Sequence, residues 1–245
     1  LVLTKAMTLM HLRNRTMLFW HLAFPVFLLV LYSQIFGQMD VGGQDFMTWV
    51  LPGVVVFNIL AFGLLSSGTL MVQMREKGIL RRLQASPIPA GQLVGSYLLV
   101  NVLIALLQST ILVAFAGLVF GTPLRLEGVL RALPMVILGI LAFVALGQVI
   151  SGLATTAAVA VIVGQVINFS QMFVTDMIMP LELMPGWLQQ VARFLPAYAA
   201  VQLVRPPLVD GRFGPDSGLN LLVLVVYTAL AGLIAARLFR WAPRA

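Results

Sequence analysis

Residues 93–120 read LVGSYLLVNVLIALLQSTILVAFAGLVF, a long run without one charged side chain. A helix needs about 20 apolar residues to cross the roughly 30 Å of hydrocarbon in a bilayer, because each residue advances it by about 1.5 Å. This run is long enough to cross. Comparable runs occupy five other parts of the chain: 17–36, 49–72, 129–153, 157–179 and 218–239. The sequence therefore predicts six membrane-spanning helices.

The composition supports the same fold class. Of the 245 residues, 60% are hydrophobic and only 9% are charged, whereas about a quarter of the residues in a soluble domain are charged. We therefore expect an all-α integral membrane protein. The chain has no Cys, and neither of its two His residues has a carboxylate cluster near it in the sequence. Neither a metal site nor a cofactor bound by this chain is expected.

The distribution of charge predicts the orientation of the spans. Basic residues concentrate before the first span, between spans two and three, and after the last span, whereas every Asp and Glu except Glu76 falls on the other side. Because cytoplasmic segments are enriched in Lys and Arg, both termini and residues 74–90 are expected in the cytoplasm. The expected location is the cytoplasmic (inner) membrane. The formal net charge of +7 is explained by this topology, so no nucleic-acid partner is expected.

Two further segments do not span. Residues 1–16 mix apolar and basic side chains and predict an amphipathic helix at the cytoplasmic interface, where it contacts membrane lipids. Residues 180–217 are external and are broken by six prolines, yet GWLQQVARFLPAYAAVQLV (186–204) is apolar enough to enter lipid. We expect two short helices that form a re-entrant element, or alternatively one surface-lying amphipathic helix. The prolines are Pro180, Pro185, Pro196, Pro206, Pro207 and Pro215.

The cytoplasmic stretch MREKGILRRLQASPIPAGQL (74–93) carries a dense basic cluster. Helix-forming residues predict a short helix over 75–85, which the prolines of 86–89 end. Three residues give this helix an apolar edge opposite its charges: Ile79, Leu80 and Leu83. The residues alone leave two interpretations, a solvated loop that only sets orientation and a helix that docks on a partner.

Three stretches resemble the membrane subunits of type-2 ABC exporters, the ABC-2-type permease family. REKGILRRLQASPIPAGQL (75–93) is similar to the family's E-K-G-T-hydrophobic-R-R-L…-S/T-P segment. MIMPLELMPGWLQQVARFLPAYAAVQLVR (177–205) is similar to its F-P-x-x-x-L-P-x-W-L segment and the amphipathic region that follows. FWHLAFPVFLLVL (19–31) resembles its first span. The resemblance covers nearly the whole chain, which we expect to form one permease domain over 1–245.

The resemblance implies a specific role for the cytoplasmic stretch. In this family the helix after span two is a coupling helix that docks on a separate ATPase subunit, which binds ATP and Mg²⁺. The matching positions are Glu76, Lys77, Gly78, Arg81 and Arg82, with Glu76 expected to meet the ATPase surface. The chain has no G-x-x-x-x-G-K-[ST] phosphate loop, so we expect a permease without enzymatic activity of its own. A second permease subunit, identical or different, is also implied.

Polar residues inside the predicted spans suggest a transport path. They are Asn58, Ser66 and Thr69 in span two, and Gln165, Asn168, Gln171, Thr175 and Asp176 in span five. Each set falls on one helix face, and two interpretations stay open: hydrogen bonds between helices, or the lining of a path or dimer interface. Asp176 stands where the family commonly has a small residue. It is interpreted as a carboxylate at the outer membrane surface or, alternatively, as an extracellular gate residue or a contact for a cationic substrate.

Three classes of function follow from these observations. The first is an ATP-driven exporter that moves a lipophilic or amphiphilic substrate, such as a drug, lipid or glycolipid, out of the cytoplasm or inner leaflet. A polysaccharide exporter is a variant of it, although the chain has only four Trp and four Tyr to line a sugar path. A secondary transporter is the second class, but no internal repeat is evident. A membrane-embedded enzyme is the third, and the spans contain no catalytic constellation to support it.

Overall fold

A computed structural model describes residues 8–9, 15–37, 39–41, 43–84 and 90–239. The predicted interface helix over 1–16 lies almost wholly outside these residues. The proline stop at 86–89 and the end of the chain after residue 239 lie outside them as well.

Helices account for nearly all of the described chain. They are α1 (Arg15–Phe36), α2 (Phe46–Ala61), a π-helix (Phe62–Ser67), α3 (Gly68–Glu76), α4 (Ile79–Gln84), α5 (Ala90–Phe120), α6 (Leu126–Leu153), α7 (Ala157–Val174), a 3₁₀ turn (Leu181–Leu183), α8 (Gly186–Ala192), α9 (Pro196–Asp210) and α10 (Ser217–Leu238). One small hairpin joins α1 to α2: β1 (Asp40–Val41) pairs antiparallel with β2 (Gln44–Asp45). The all-α prediction is thus confirmed for the described residues apart from this hairpin.

Five helical stretches are long and apolar enough to cross a membrane. They are Phe46–Glu76, Gln92–Phe120, Leu126–Leu153, Ala157–Val174 and Ser217–Leu238. These stretches match the second to sixth predicted spans. In α1 the apolar helix Leu22–Phe36 is shorter than a full crossing, so the first span stays a prediction.

The second span lies at the centre of the bundle. Helix α2, the π-helix and α3 form one continuous helical stretch in which α2 is buried on every side. A helix that is hydrophobic all round is expected in such a position. The neighbouring spans instead expose apolar side chains outward, for example Leu103 on α5 and Leu233 on α10. Those outward faces suit contact with lipid.

Glycines bring span two against α6 at backbone distance. A Cβ atom built at Gly147 would lie 2.0 Å from the carbonyl oxygen of Gly63, and one built at Gly68 would lie 2.6 Å from the carbonyl oxygen of Gly147. Small residues allow membrane helices to approach this closely. Gly63 lies within the π-helix, so the irregular turn and the closest helix contact coincide.

The predicted external segment contains two helices rather than one. Pro196 is the first residue of α9, where a missing backbone N–H costs nothing. The expected break at Pro206 and Pro207 is wrong, because α9 continues through both to Asp210. Proline fixes φ near the helical value, and α9 is held by burial of its apolar side, including Val201 and Leu203.

The short helix after span two begins later than predicted. Residues 75 and 76 are the last of α3, and α4 starts at Ile79. Between them Gly78 has φ +67°, a left-handed conformation that ends helices and that glycine adopts without strain. The predicted apolar edge is confirmed: Leu80 is fully buried, and Ile79 and Leu83 pack half-buried against the core.

Candidate functional site

The charged side of the short helix is exposed. Lys77, Arg81 and Arg82 all lie on the surface at the end of the bundle where α3 finishes. We call these three residues the basic face. Because the buried Leu80 anchors α4 to the core, the basic face is held on a packed element. Such a surface can bind an acidic protein surface or anionic lipid head groups.

Arg75 points away from this surface and into the protein. It is 6% exposed, and its guanidinium donates hydrogen bonds to the carbonyl oxygen of Ser151, at 3.0 Å, and to that of Ala154. These carbonyls belong to the last turn of α6 and to the residue that caps it. Carbonyls at a helix C-terminus lack intrahelical donors and carry partial negative charge, so a cation is favourable there.

Glu76 makes the complementary contact with the next helix. Its Oε1 atom accepts a hydrogen bond of 3.0 Å from the backbone N–H of Ala157, the first residue of α7. Helix N-terminal N–H groups lack intrahelical acceptors, and the helix dipole favours an anion beside them. Thr156 completes this cap, since its Oγ1 accepts from the N–H of Val159. We call Arg75, Glu76 and the backbone groups that they bind the clamp.

The clamp was only partly predictable. Glu76 was expected at the start of a short helix and against an ATPase; it ends α3, and the helix start that it meets is that of α7. Arg75 was counted only as one charge of the basic cluster. Its burial and its carbonyl partners depend on the approach of α6, for which the local sequence contains no signal.

Three of the predicted path residues meet at one cavity. Asn58 of α2 and Gln165 and Asn168 of α7 line a cavity of about 280 Å³, and its other walls are mostly aromatic and aliphatic. Among the described residues, no hydrogen-bond partner is found for the buried Gln165 Oε1 and Asn168 Oδ1 atoms. A buried acceptor without a donor costs about 1–3 kcal/mol. A ligand or water that donates hydrogen bonds there would remove this cost. We call this space the polar cavity.

The outer part of the polar stripe has a different role. Gln171 accepts a hydrogen bond of 3.1 Å through Oε1 from the backbone N–H of Ala197, in the first turn of α9. Thr175 donates through its hydroxyl to the carbonyl oxygen of Gln171. These side chains cap α9 and end α7, and neither lines the polar cavity. Ser66 and Thr69 are buried within span two and do not line it either.

Asp176 is buried and paired. It is 6% exposed and forms an ion pair with Arg205 of α9, while Gln202 donates to the same carboxylate oxygen at 3.0 Å. Burial raises the pKa of the Asp176 carboxyl, and the charge of Arg205 opposes that rise. Arg205 also lies over the ring of Trp49, 4.2 Å from its centroid, which adds a cation–π contact to the ion pair.

The position of Asp176 is defined by its partners rather than by exposure to solvent. Asp176 lies just beyond α7, Arg205 lies on α9, and Trp49 lies near the start of α2. The ion pair and the cation–π contact of Arg205 therefore link these three parts of the chain at the end of the bundle opposite the basic face. Its partner Arg205 was not singled out from the sequence, because the two residues are far apart in the chain.

Comparison with known proteins supplies an independent line of evidence. The family model described as "ABC-2 type transporter" matches residues 1–208. "Putative transport permease YvfS" of Bacillus subtilis (strain 168) is 24% identical over 229 residues, which are 91% of this chain and 90% of that protein. "Nodulation protein J" of Rhizobium leguminosarum bv. viciae is 29% identical over 111 residues, which are 45% of this chain and 42% of that protein. The family match includes the clamp, the polar cavity and the Asp176–Arg205 pair.

Proposed function

Because this chain belongs to the ABC-2 type transporter family, we propose that it is the membrane subunit of an ATP-driven exporter and works with a separate ATP-binding-cassette ATPase. The family match over residues 1–208 is the observation that carries this proposal. The sequence has no phosphate-binding loop of its own. ATP and Mg²⁺ therefore bind in the partner subunit, and this chain contributes the path.

The ATPase docks on the segment 74–90. The exposed basic face fits an acidic cleft on the partner, because complementary charge speeds and orients association. Gly78 permits the turn that sets α4 apart from α3. The proposed coupling residues are Glu76, Lys77, Gly78, Arg81 and Arg82. Of these, Lys77, Arg81 and Arg82 form the basic face that meets the ATPase, whereas Glu76 bonds to the start of α7.

The proposed location is the cytoplasmic membrane, with both termini and the basic face in the cytoplasm and residues 180–217 outside. The uneven distribution of Lys and Arg supports this orientation. Five apolar helices of spanning length support a multi-pass protein, and the apolar α1 would supply the remaining span, the first in the chain.

The substrate is proposed to be lipophilic or amphiphilic. The polar cavity offers mostly apolar walls, including Trp20 and Phe24 of α1, with a few amide groups from α2 and α7. This combination fits a molecule with a large apolar part and one or two hydrogen-bond donors. A second permease subunit is also proposed, as the family resemblance implies, and the exposed aromatic side chains of α7, such as Phe173, are a candidate surface for it.

The proposal is tested in inverted membrane vesicles that contain the chain and an ATP-binding-cassette ATPase that co-purifies with it. A fluorescent phospholipid analogue and a lipophilic dye serve as probes, and a labelled oligosaccharide is tested beside them. We expect ATP-dependent movement of at least one probe, insensitive to proton ionophores and lost when the ATPase lacks its phosphate-loop lysine. Movement driven by a proton gradient without ATP would instead identify a secondary transporter. ATP-dependent export of an oligosaccharide alone would retain the exporter and overturn the lipophilic substrate class.

A further inference from the structure

We propose that Arg75 and Glu76 are positioning residues that transmit movement of the ATPase-facing segment 77–84 to α7. They do so by binding both ends of the connection 154–156, which joins α6 to α7. This inference rests on the proposed function. It assigns to the clamp a mechanical role in transport that is separate from direct contact with the ATPase.

The first half of the clamp fixes α3 to the end of α6. Arg75 is buried, and its planar guanidinium binds two carbonyls at the end of α6 at once, those of Ser151 and of the capping residue Ala154. A bidentate contact of this kind restricts orientation as well as distance. Two turns earlier in the chain, Gly68 and Gly147 bring the backbones of α3 and α6 into contact. With contacts at both points, α3 cannot slide or turn along α6 without breaking one of them.

The second half joins α3 to the start of α7. Glu76 accepts from Ala157 at 3.0 Å, and Gln165 lies eight residues further along the same helix, about 12 Å away at 1.5 Å per residue. A helix transmits displacement along its axis over this distance because its backbone bonds hold it rigid. Glu76, which directly precedes the basic face, is thus connected to the polar cavity by one hydrogen bond and about two turns of α7.

Glu76 has two possible roles that require different chemistry. Capping of α7 needs an acceptor at Oε1, which both Glu and Gln provide. Docking on a basic ATPase surface needs negative charge, which Gln lacks. Ala provides neither. Glu76→Gln and Glu76→Ala therefore separate the clamp from direct docking.

The experiment measures distances between spin labels in the complex of the chain with its ATPase, in lipid nanodiscs. The chain has no Cys, so Cys pairs label uniquely, and excess unlabelled chain suppresses distances between subunits. Exposed positions are Gln84 on α4, Ile162 on α7 and Leu233 on α10 as a reference. Each pair is measured without nucleotide and with ATP trapped.

In the unmodified chain the 84–162 distance is expected to keep one narrow peak in both states, while the 84–233 and 162–233 distances shift together. Glu76→Gln should behave the same way. In Glu76→Ala and Arg75→Gln the 84–162 peak should broaden and the 162–233 shift should be lost. Arg131→Gln is the matched control, because Arg131 also donates to a carbonyl at a helix end, that of Gly211, but on the opposite side of the bundle.

The outcomes separate the inference from the function on which it rests. If the ATPase binds and the 84–233 distance shifts, but Glu76→Ala and Arg75→Gln match the unmodified chain, the clamp does not transmit movement and the inference is wrong. A Gln variant as defective as the Ala variant would show that Glu76 acts through its charge, which also overturns the inference. Failure of the unmodified chain to bind any ATPase refutes the proposed function itself. Glu76→Ala is decisive if Arg75→Gln fails to fold, because the Glu76 side chain lies at the surface.

Discussion

Replacing Asp176 by Asn tests whether the pair with Arg205 is a buried ion pair. The substitution keeps the size of the side chain and removes its charge, so Arg205 loses its counterion while its own side chain is only 11% exposed. Breaking a buried pair by removal of one partner costs about 3–5 kcal/mol. Two contacts remain to Arg205, the backbone carbonyl of residue 176 and the ring of Trp49. We therefore expect a loss near the lower limit, about 3 kcal/mol of unfolding free energy.

The assay is reversible unfolding of the purified chain in mixed micelles with increasing denaturing detergent. Glu127→Gln is the matched control, because Glu127 pairs with Arg131 at the surface, with side chains 68% and 44% exposed. Exposed pairs contribute about 0.2–1 kcal/mol, so this control should lose less than about 1 kcal/mol. The double variant Asp176→Asn, Arg205→Gln should recover part of the loss. An Asp176→Asn variant no less stable than Glu127→Gln would contradict the buried pair.

Three further predictions concern the close packing of span two, the polar residues of α7 and the orientation of the chain. Gly147→Ala should destabilise the chain by about 1–3 kcal/mol in the same assay, because the added Cβ overlaps a carbonyl oxygen of span two. Gly232→Ala is the control, since open space surrounds Gly232, and equal stability of the two variants would refute the close contact. Asn168→Leu should alter ATP-dependent probe movement without loss of stability, because it removes a buried acceptor that has no donor. Gln171→Leu should cost about 1–3 kcal/mol of unfolding free energy by leaving a buried N–H of α9 unpaired, and unaltered probe movement and stability in both variants would contradict these placements. A Cys at Gln84 should react with an impermeant reagent only from the cytoplasmic side, and labelling from outside intact cells would refute the orientation.

Local sequence patterns predicted the features that local physics determines. The spans follow from the length of the apolar runs, and the second to sixth are matched by helices. The apolar edge of α4 follows from its helical spacing, and Leu80 is buried accordingly. The break expected at Pro206 and Pro207 failed because proline preference is local, whereas burial of α9 against other helices holds it helical.

Features that join distant residues were not predictable from one sequence. Glu76 and Ala157 are 81 positions apart, and Asp176 and Arg205 are 29 positions apart. The polar residues predicted to share one face of α7 divide between a cavity and the cap of α9. That division depends on where α9 lies. Hydrogen bonding between elements describes Gln171, whereas the lining of a path or dimer interface stays a prediction for the residues at the cavity.

The most direct test of the central claim is recovery of the ATPase with this chain. Affinity-purified chain should recover its ATPase from detergent-solubilised membranes, and Arg81→Glu with Arg82→Glu should reduce recovery by at least about tenfold, which corresponds to about 1.4 kcal/mol of binding free energy. Arg212→Glu, an exposed charge reversal at the opposite end of the bundle, should leave recovery unchanged, and Gln84→Cys labelling should show that each variant keeps its orientation. Equal recovery with the double reversal would contradict docking on the basic face, and no recovery with the unmodified chain would contradict its role as the membrane subunit of an ATP-driven exporter.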